Sequence, residues 1–198
     1  MTDVEICNLS LRRIGVTKKL DSLDDSPEAS VESSTCALLF PLMRDRLLET
    51  YEWPFAHGRA HLTEAVPVPL RSDWAFAYVL PADCVVPRDI VPESDRSPWT
   101  VEASDDGKKQ WLLTNVEDVE ISYTKRIANP ALWPASFIDA LAWLLAGELV
   151  MPLAVSQARE GVAMKRFELA LDAAAVVAAR QGRTQDTDPT PSSIAARG

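Results

Sequence analysis

The stretch from Trp133 to Leu153, WPASFIDALAWLLAGELVMPL, constrains this chain more than any other. It is the most apolar run, and proline marks both ends. Asn129-Pro130 and Trp133-Pro134 precede it, and Pro152 closes it. Proline suits a helix start, where its missing N–H would have no intrahelical partner. Phe137, Ile138, Leu141, Ala142, Leu144, Leu145, Leu149 and Val150 cover most of a helical circumference. The pattern predicts a central helix packed on several sides. Its length approaches that of a membrane span. Asp139 and Glu148 inside it, and the lack of a basic flank, favour a buried helix instead. At about 100° per residue these two carboxylates point to opposite sides, so they do not form a facing acid–base pair. Each is expected at a bundle edge, pairing with an arginine or facing a neighbouring subunit.

Before this run, Thr2-Asp3-Val4-Glu5 reads as a helix start, with Thr2 as N-cap and Glu5 as its capping-box partner. Val4, Cys7, Leu11 and Ile14 give this first helix one apolar face, and Gly15 is its natural stop. An acidic loop follows. Ser26-Pro27-Glu28 predicts the start of a second helix running to about Tyr51. Pro41 falls inside it and is expected to kink or divide it. After the central helix, a last helix is expected from Ser156 to about Arg180. Its stripe is Ala163, Met164, Phe167, Ala170, Leu171, Ala174 and Val177. No repeat and no heptad is read.

The middle of the chain is different. Seven prolines fall between Pro54 and Pro98, and apolar residues lose helical spacing. Strands are expected at Ala60–Ala65, Trp74–Leu80, Cys84–Val91, Trp99–Glu102, Gln110–Thr114 and Val119–Lys125. In the last, Val119, Ile121 and Tyr123 alternate with Glu120, Ser122 and Thr124, the pattern of a half-buried strand. Asp105-Asp106-Gly107-Lys108 signals a hairpin turn. The expected fold is therefore α+β: an antiparallel bundle of about four helices with an inserted, mostly antiparallel β module. Residues 1–57 and 128–180 would form the discontinuous helical bundle and 58–127 the β-rich insert. Residues 181–198, polar and poor in large apolar side chains, would form a flexible tail.

Composition excludes more than it assigns. The net charge of −9 disfavours binding that works by phosphate neutralisation. Cys7, Cys36 and Cys84 sit in apolar patterns and read as buried free thiols of a reducing compartment. No basic segment with an apolar core opens the chain, so no signal peptide is expected. His57 and His61 stand four apart but flank Gly58 outside any helical pattern. They read as turn residues rather than metal ligands. Pairing Cys36 or Cys84 with His57 has only composition behind it. No nucleotide-binding glycine pattern or nucleophile elbow is present. Neither a catalytic site nor a cofactor nor a metal is expected. The six tryptophans fall mostly at junctions between helical and β segments, where junction packing or a subunit interface would use them.

Several segments together carry a resemblance. They are ICNLSLRRIG, SLDDSPEAS, MRDRLLETYEWPFA, WAFAYVLPADCV and VEISYTKRIANPALWPASFIDALAWLLAGELVMPL, followed by a closing helix and a polar tail. In order and spacing they resemble the head-to-tail connector proteins of the tail tubular protein A family, the adaptors or gatekeepers of short-tailed phages. The Trp-Pro-Phe-Ala-like turn of that family is matched by Trp53 to Ala56, and its Leu-Pro-Ala-Asp-Cys turn by Leu80 to Cys84. The similarity covers about residues 4–180. It implies a non-enzymatic virion protein, assembled in the host cytoplasm as a homo-oligomeric, dodecameric ring. The portal protein would lie above and a tail nozzle or tail tube protein below. Phage DNA would pass through the channel without sequence-specific binding, and no membrane is involved. Asp139, Glu148, Gln181, Arg183, Ile194 and Arg197 are the candidate contacts to a neighbouring subunit or to the portal. The alternatives are a hydrolase with an unrecognised site and a non-viral protein-interaction module.

Overall fold

The computed structural model describes residues 1–65, 73–91 and 97–181. Helix α1 spans Asp3–Arg13. Its capping box forms as expected: the Thr2 N–H donates to Glu5 Oε2 at 2.8 Å and the Glu5 N–H to Thr2 Oγ1 at 3.3 Å. At the other end Gly15 takes φ +81°, a left-handed conformation open to glycine. The Gly15 N–H then donates to the Arg12 carbonyl and the Val16 N–H to the Leu11 carbonyl. Both bonds satisfy carbonyls that the end of the helix leaves unpaired.

Helix α2 spans Val31–Thr50 and starts later than the sequence suggests. Its N-cap is Ser30, whose side chain accepts from the Ser33 N–H, and not Ser26. The Ser26 hydroxyl is taken by Asp24 at 2.9 Å, and the Ala29 N–H closes a tight turn on the Ser26 carbonyl. The helix is not divided at Pro41. Pro41 is exposed and costs the helix one backbone bond on its outer side.

A single 3₁₀ turn, Pro54–Ala56, leads into the strands. These are β1 (His57–His61), β2 (Thr63–Glu64), β3 (Phe76–Val79), β4 (Cys84–Val91), β5 (Trp99–Ala103), β6 (Gln110–Thr114) and β7 (Glu120–Lys125). They form two antiparallel sheets, β1-β7-β4 and β2-β3-β6-β5. The expected first strand is thus two strands, one in each sheet, joined through Leu62. The β5–β6 hairpin turns at the expected Asp-Asp-Gly-Lys, with Gly107 at φ +68° and Ala103 facing Gln110. Strand β7 is covered on both faces, not on one: Ser122 and Thr124 are buried along with Ile121 and Tyr123. Thr124 can be buried because its hydroxyl accepts from Arg88 Nε at 2.9 Å.

A second 3₁₀ turn, Pro130–Leu132, returns the chain to the helices. Helix α3 spans Ala135–Leu149 and α4 spans Ala158–Gln181. The apolar run outlasts its helix: residues 151–154 are turns, ending on Ala154 at φ +51°. Among the described residues no helix is long and apolar enough to cross a membrane.

The class is α+β with antiparallel sheets, but the expected four-helix bundle does not form. Helix α3 is a hub against which α1, α2 and α4 each pack, while α1 and α2 meet only marginally. Nine of the fifteen α3 residues are buried, from Phe137 round to Gly147 and Leu149. Helix α4 buries only the narrow row Ala163, Phe167, Ala174 and Ala178. It approaches α3 closely at Gly147, where a Cβ would stand 2.8 Å from Met164 Sδ. A bundle needs each helix to bury a face wide enough for two neighbours. Here α2 and α4 turn further apolar side chains outward instead, Leu38 and Leu42 on one, Val162 and Leu169 on the other.

One aromatic cluster holds both crossings between helices and sheets. Phe137 packs edge-on against Trp53, Phe55 and Trp133, with centroids 5.1, 4.9 and 5.4 Å away. Phe40 of α2 stacks on Trp133 at 6.3 Å. Each indole is also tied to the backbone. Trp53 Nε1 donates to the Leu47 carbonyl at 2.8 Å and Trp133 Nε1 to the Ile127 carbonyl at 3.0 Å. Phe137 is fully buried. Phe137→Ala should therefore lower stability by about 3–5 kcal/mol, the cost of a large cavity in a site that cannot collapse. Urea denaturation reads this, and a loss under about 1 kcal/mol would show that the cluster is dispensable.

Candidate assembly surface

The two carboxylates of α3 tie it to different helices. Asp139 pairs with Arg13 Nη2 of α1, and Arg13 Nη1 donates to the Asp139 backbone carbonyl at 2.9 Å. The same guanidinium lies 4.2 Å from the Trp143 ring centroid, one turn further along α3. On the other side, Glu148 Oε1 accepts from Arg46 Nη1 of α2 at 3.0 Å. The opposite phasing of the two acids is thus the geometry of a hub between α1 and α2. Both keep solvent access, 49% for Asp139 and 38% for Glu148. Gln181 is the exposed last residue of α4. Arg183, Ile194 and Arg197, with the rest of the expected tail from 182 onward, lie outside the described residues.

A second set of charges fixes the sheets to α2. Asp45 accepts from Arg44 Nε at 2.8 Å and from Arg126 Nε, just beyond β7, at 2.9 Å. Arg88 of β4 donates to the Tyr51 carbonyl at 3.0 Å and reaches the Leu48 and Glu49 carbonyls at 3.4 Å. It covers the unpaired C-terminal carbonyls of α2. The Leu80–Cys84 turn joins this network: the Arg126 N–H donates to the Asp83 carbonyl, and Lys125 Nζ stands 3.4 Å from the Asp83 carboxylate. Burial first, then the Asp83 charge, raises the pKa of the neighbouring Tyr123 hydroxyl. Between α2, this turn and the β5–β6 hairpin lies an open cleft of about 800 Å³, with Asp45, Glu49, Lys108, Lys109 and Arg126 on its walls.

The residues weighed for chemistry do not converge. His57 stands 3.8 Å from Glu52 and His61 3.6 Å from Glu120, each at a separate surface position on β1. Cys7 and Cys36 meet in the core between α1 and α2. The hydrogen bond with Cys36, then burial, raises the Cys7 pKa far above its ordinary range, while that bond lowers the Cys36 pKa. Burial pushes the Cys84 thiol up to about 11. Among the described residues no three His, Cys, Asp or Glu side chains gather as metal ligands would.

Apolar surface is what remains prominent. Helix α2 presents Val31, Leu38 and Leu42 outward, with Leu38 72% exposed. Helix α4 presents Val162, Leu169 and Val176, with Leu169 56% exposed. The α4 row repeats every seven residues and lies about 150° around the helix from the buried row. The stripe through Phe167 is the expected face of α4, and the outward row is not part of it. The spacing of Val162, Leu169 and Val176 was the available signal. Comparison with protein-family models and with curated proteins finds no match for this chain.

Arg13 and Asp139 differ in what they hold. Arg13→Ala removes the ion pair, the bond to the Asp139 carbonyl and the contact on Trp143, and should cost about 1–3 kcal/mol. Asp139→Ala removes only the half-exposed pair and should cost at most about 1 kcal/mol. Denaturant midpoints of the two variants rank them, and equal losses would refute the reading of Arg13 as more than a surface ion-pair partner.

Proposed function

We propose that this chain is a structural subunit of a phage head-to-tail connector, a ring between portal and tail through which DNA passes. The observation that carries the reading is the outward apolar surface on two different helices. A monomer gains nothing from Leu38, Leu42, Val162, Leu169 and Val176 in water, whereas an assembly can cover them. The resemblance to the tail tubular protein A family supports the same reading through Trp53–Ala56 and Leu80–Cys84. Those residues form the joint into the sheets and the turn that binds Arg126, positions where a fold would need them whatever its partners.

In this role the chain acts in the virion as a mechanical part, with no enzymatic step and no cofactor. Its negative charge, multiplied over the copies of a dodecameric ring, keeps phosphate from adhering to the channel. Asp139 and Glu148, each partly open to solvent beside its arginine, and Gln181 at the end of α4 would meet a neighbouring subunit. Arg183, Ile194 and Arg197 of the polar tail would run along the portal, and the opposite face would receive the tail nozzle or tail tube protein.

Mixing the purified protein with purified portal should give a closed ring of this chain on one portal face by electron microscopy. Protein that stays unbound to portal, where a known adaptor assembles under the same conditions, would contradict the proposal.

A further inference from the structure

The outward row of α4 is complementary to itself. Counted from Leu169, Val162 lies seven residues before and Val176 seven after. Arg166 lies three before and Asp172 three after; Lys165 lies four before and Ala173 four after. All of these are exposed, and neither Lys165, Arg166 nor Asp172 has an ion-pair partner among the described residues. The apolar row is thus symmetric about Leu169, and one flank of it carries a cation before that residue, Lys165, and an anion after it, Asp172.

That arrangement suits one occupant. When two copies of α4 cross antiparallel about a two-fold axis through Leu169, each Val162 meets the partner's Val176 and Leu169 meets itself. Each Lys165 then faces an Asp172 on one flank of the seam, twice over by symmetry, while Arg166 lies on the other flank beside Ala173. A parallel pairing would set Arg166 of each copy beside Lys165 of the other and leave Asp172 beside Ala173, and the like charges oppose it. Ala173 beside the row lets the two backbones approach. The seven-residue spacing falls slightly short of two helical turns, so the row drifts as a shallow left-handed crossing requires.

We infer that the Val162–Leu169–Val176 row of α4 is a pairing surface for a second copy of this chain, antiparallel and two-fold about Leu169. The contact is isologous and closes on itself, so it joins two free copies and is not the head-to-tail contact between successive subunits of a ring. It covers the α4 row while the protein is free, and it does not depend on the connector reading.

The full-length protein tests this without any portal present. Leu169→Cys should give a disulfide-linked dimer when treated with oxidised glutathione, because a residue on the axis meets its own copy. Glu168→Cys, off the row, should remain monomeric on a non-reducing gel. In sedimentation equilibrium, Lys165→Glu should weaken pairing by about tenfold or more. Asp172→Arg should do the same, and the two together should restore it to within about threefold, since the pair is then only reversed. Circular dichroism confirms that each variant is folded, as exposed positions allow. Crosslinking of Leu169→Cys no faster than Glu168→Cys would overturn the pairing. So would a double variant as weak as the singles, or wild-type protein that sediments as a monomer at all concentrations.

Discussion

The fold depends on the packing around Phe137. That ring touches the tryptophan on which the chain leaves the helices, Trp53, and the one on which it returns, Trp133. A β segment inserted into a helical one needs both crossings fixed, or the two parts would pivot about a pair of loops. Three edge-on contacts to one buried phenyl ring do this, and each indole N–H is satisfied by a backbone carbonyl close by in the chain. The 3₁₀ turns at Pro54 and Pro130 then set the direction in which the chain departs and re-enters.

Charges act on top of this packing and mainly at helix ends and edges. Arg88 caps α2 from β4, and Asp45 binds Arg126 from the end of β7. Arg13 and Arg46 hold opposite sides of α3 to α1 and α2. Exposed ion pairs contribute little by themselves. These orient elements that the core has already brought together, and Arg88 has the further task of satisfying carbonyls that burial would leave unpaired. With α3 occupied on its several sides, α2 and α4 have no inner partner among the described residues for their second apolar rows. Outward apolar surface on these two helices is therefore a consequence of the hub arrangement.

The elements legible in the sequence were those bounded by turn chemistry. Strands β4 and β6 match their expected limits because Pro81-Ala82-Asp83 and Gly107 leave few other ways to turn. The start and stop of α1 were equally plain in Thr2, Glu5 and Gly15. Ser26 misled because a serine before a helix offers the same hydroxyl whether or not a nearby acid captures it, and Asp24 did. The helical bundle failed as an expectation for a different reason. Periodicity reveals that Val162, Leu169 and Val176 share a side, but not whether another helix will be there to cover it. The opposite phasing of Asp139 and Glu148 was readable; their arginine partners, 126 and 102 residues away, were not. The aromatic cluster was visible only as tryptophans near prolines, since its centre, Phe137, looked like any other apolar residue of the run.

One packed cluster around Phe137 joins helices and sheets, so they should open as a single cooperative unit. Native-state hydrogen exchange measures this most directly, by comparing amides in α3, such as Leu141 and Leu145, with amides in β7, such as Ile121 and Tyr123. Both sets should exchange only through global opening, with the same free energy and the same dependence on denaturant. Opening of β7 at a clearly lower free energy, while α3 remained protected, would contradict it.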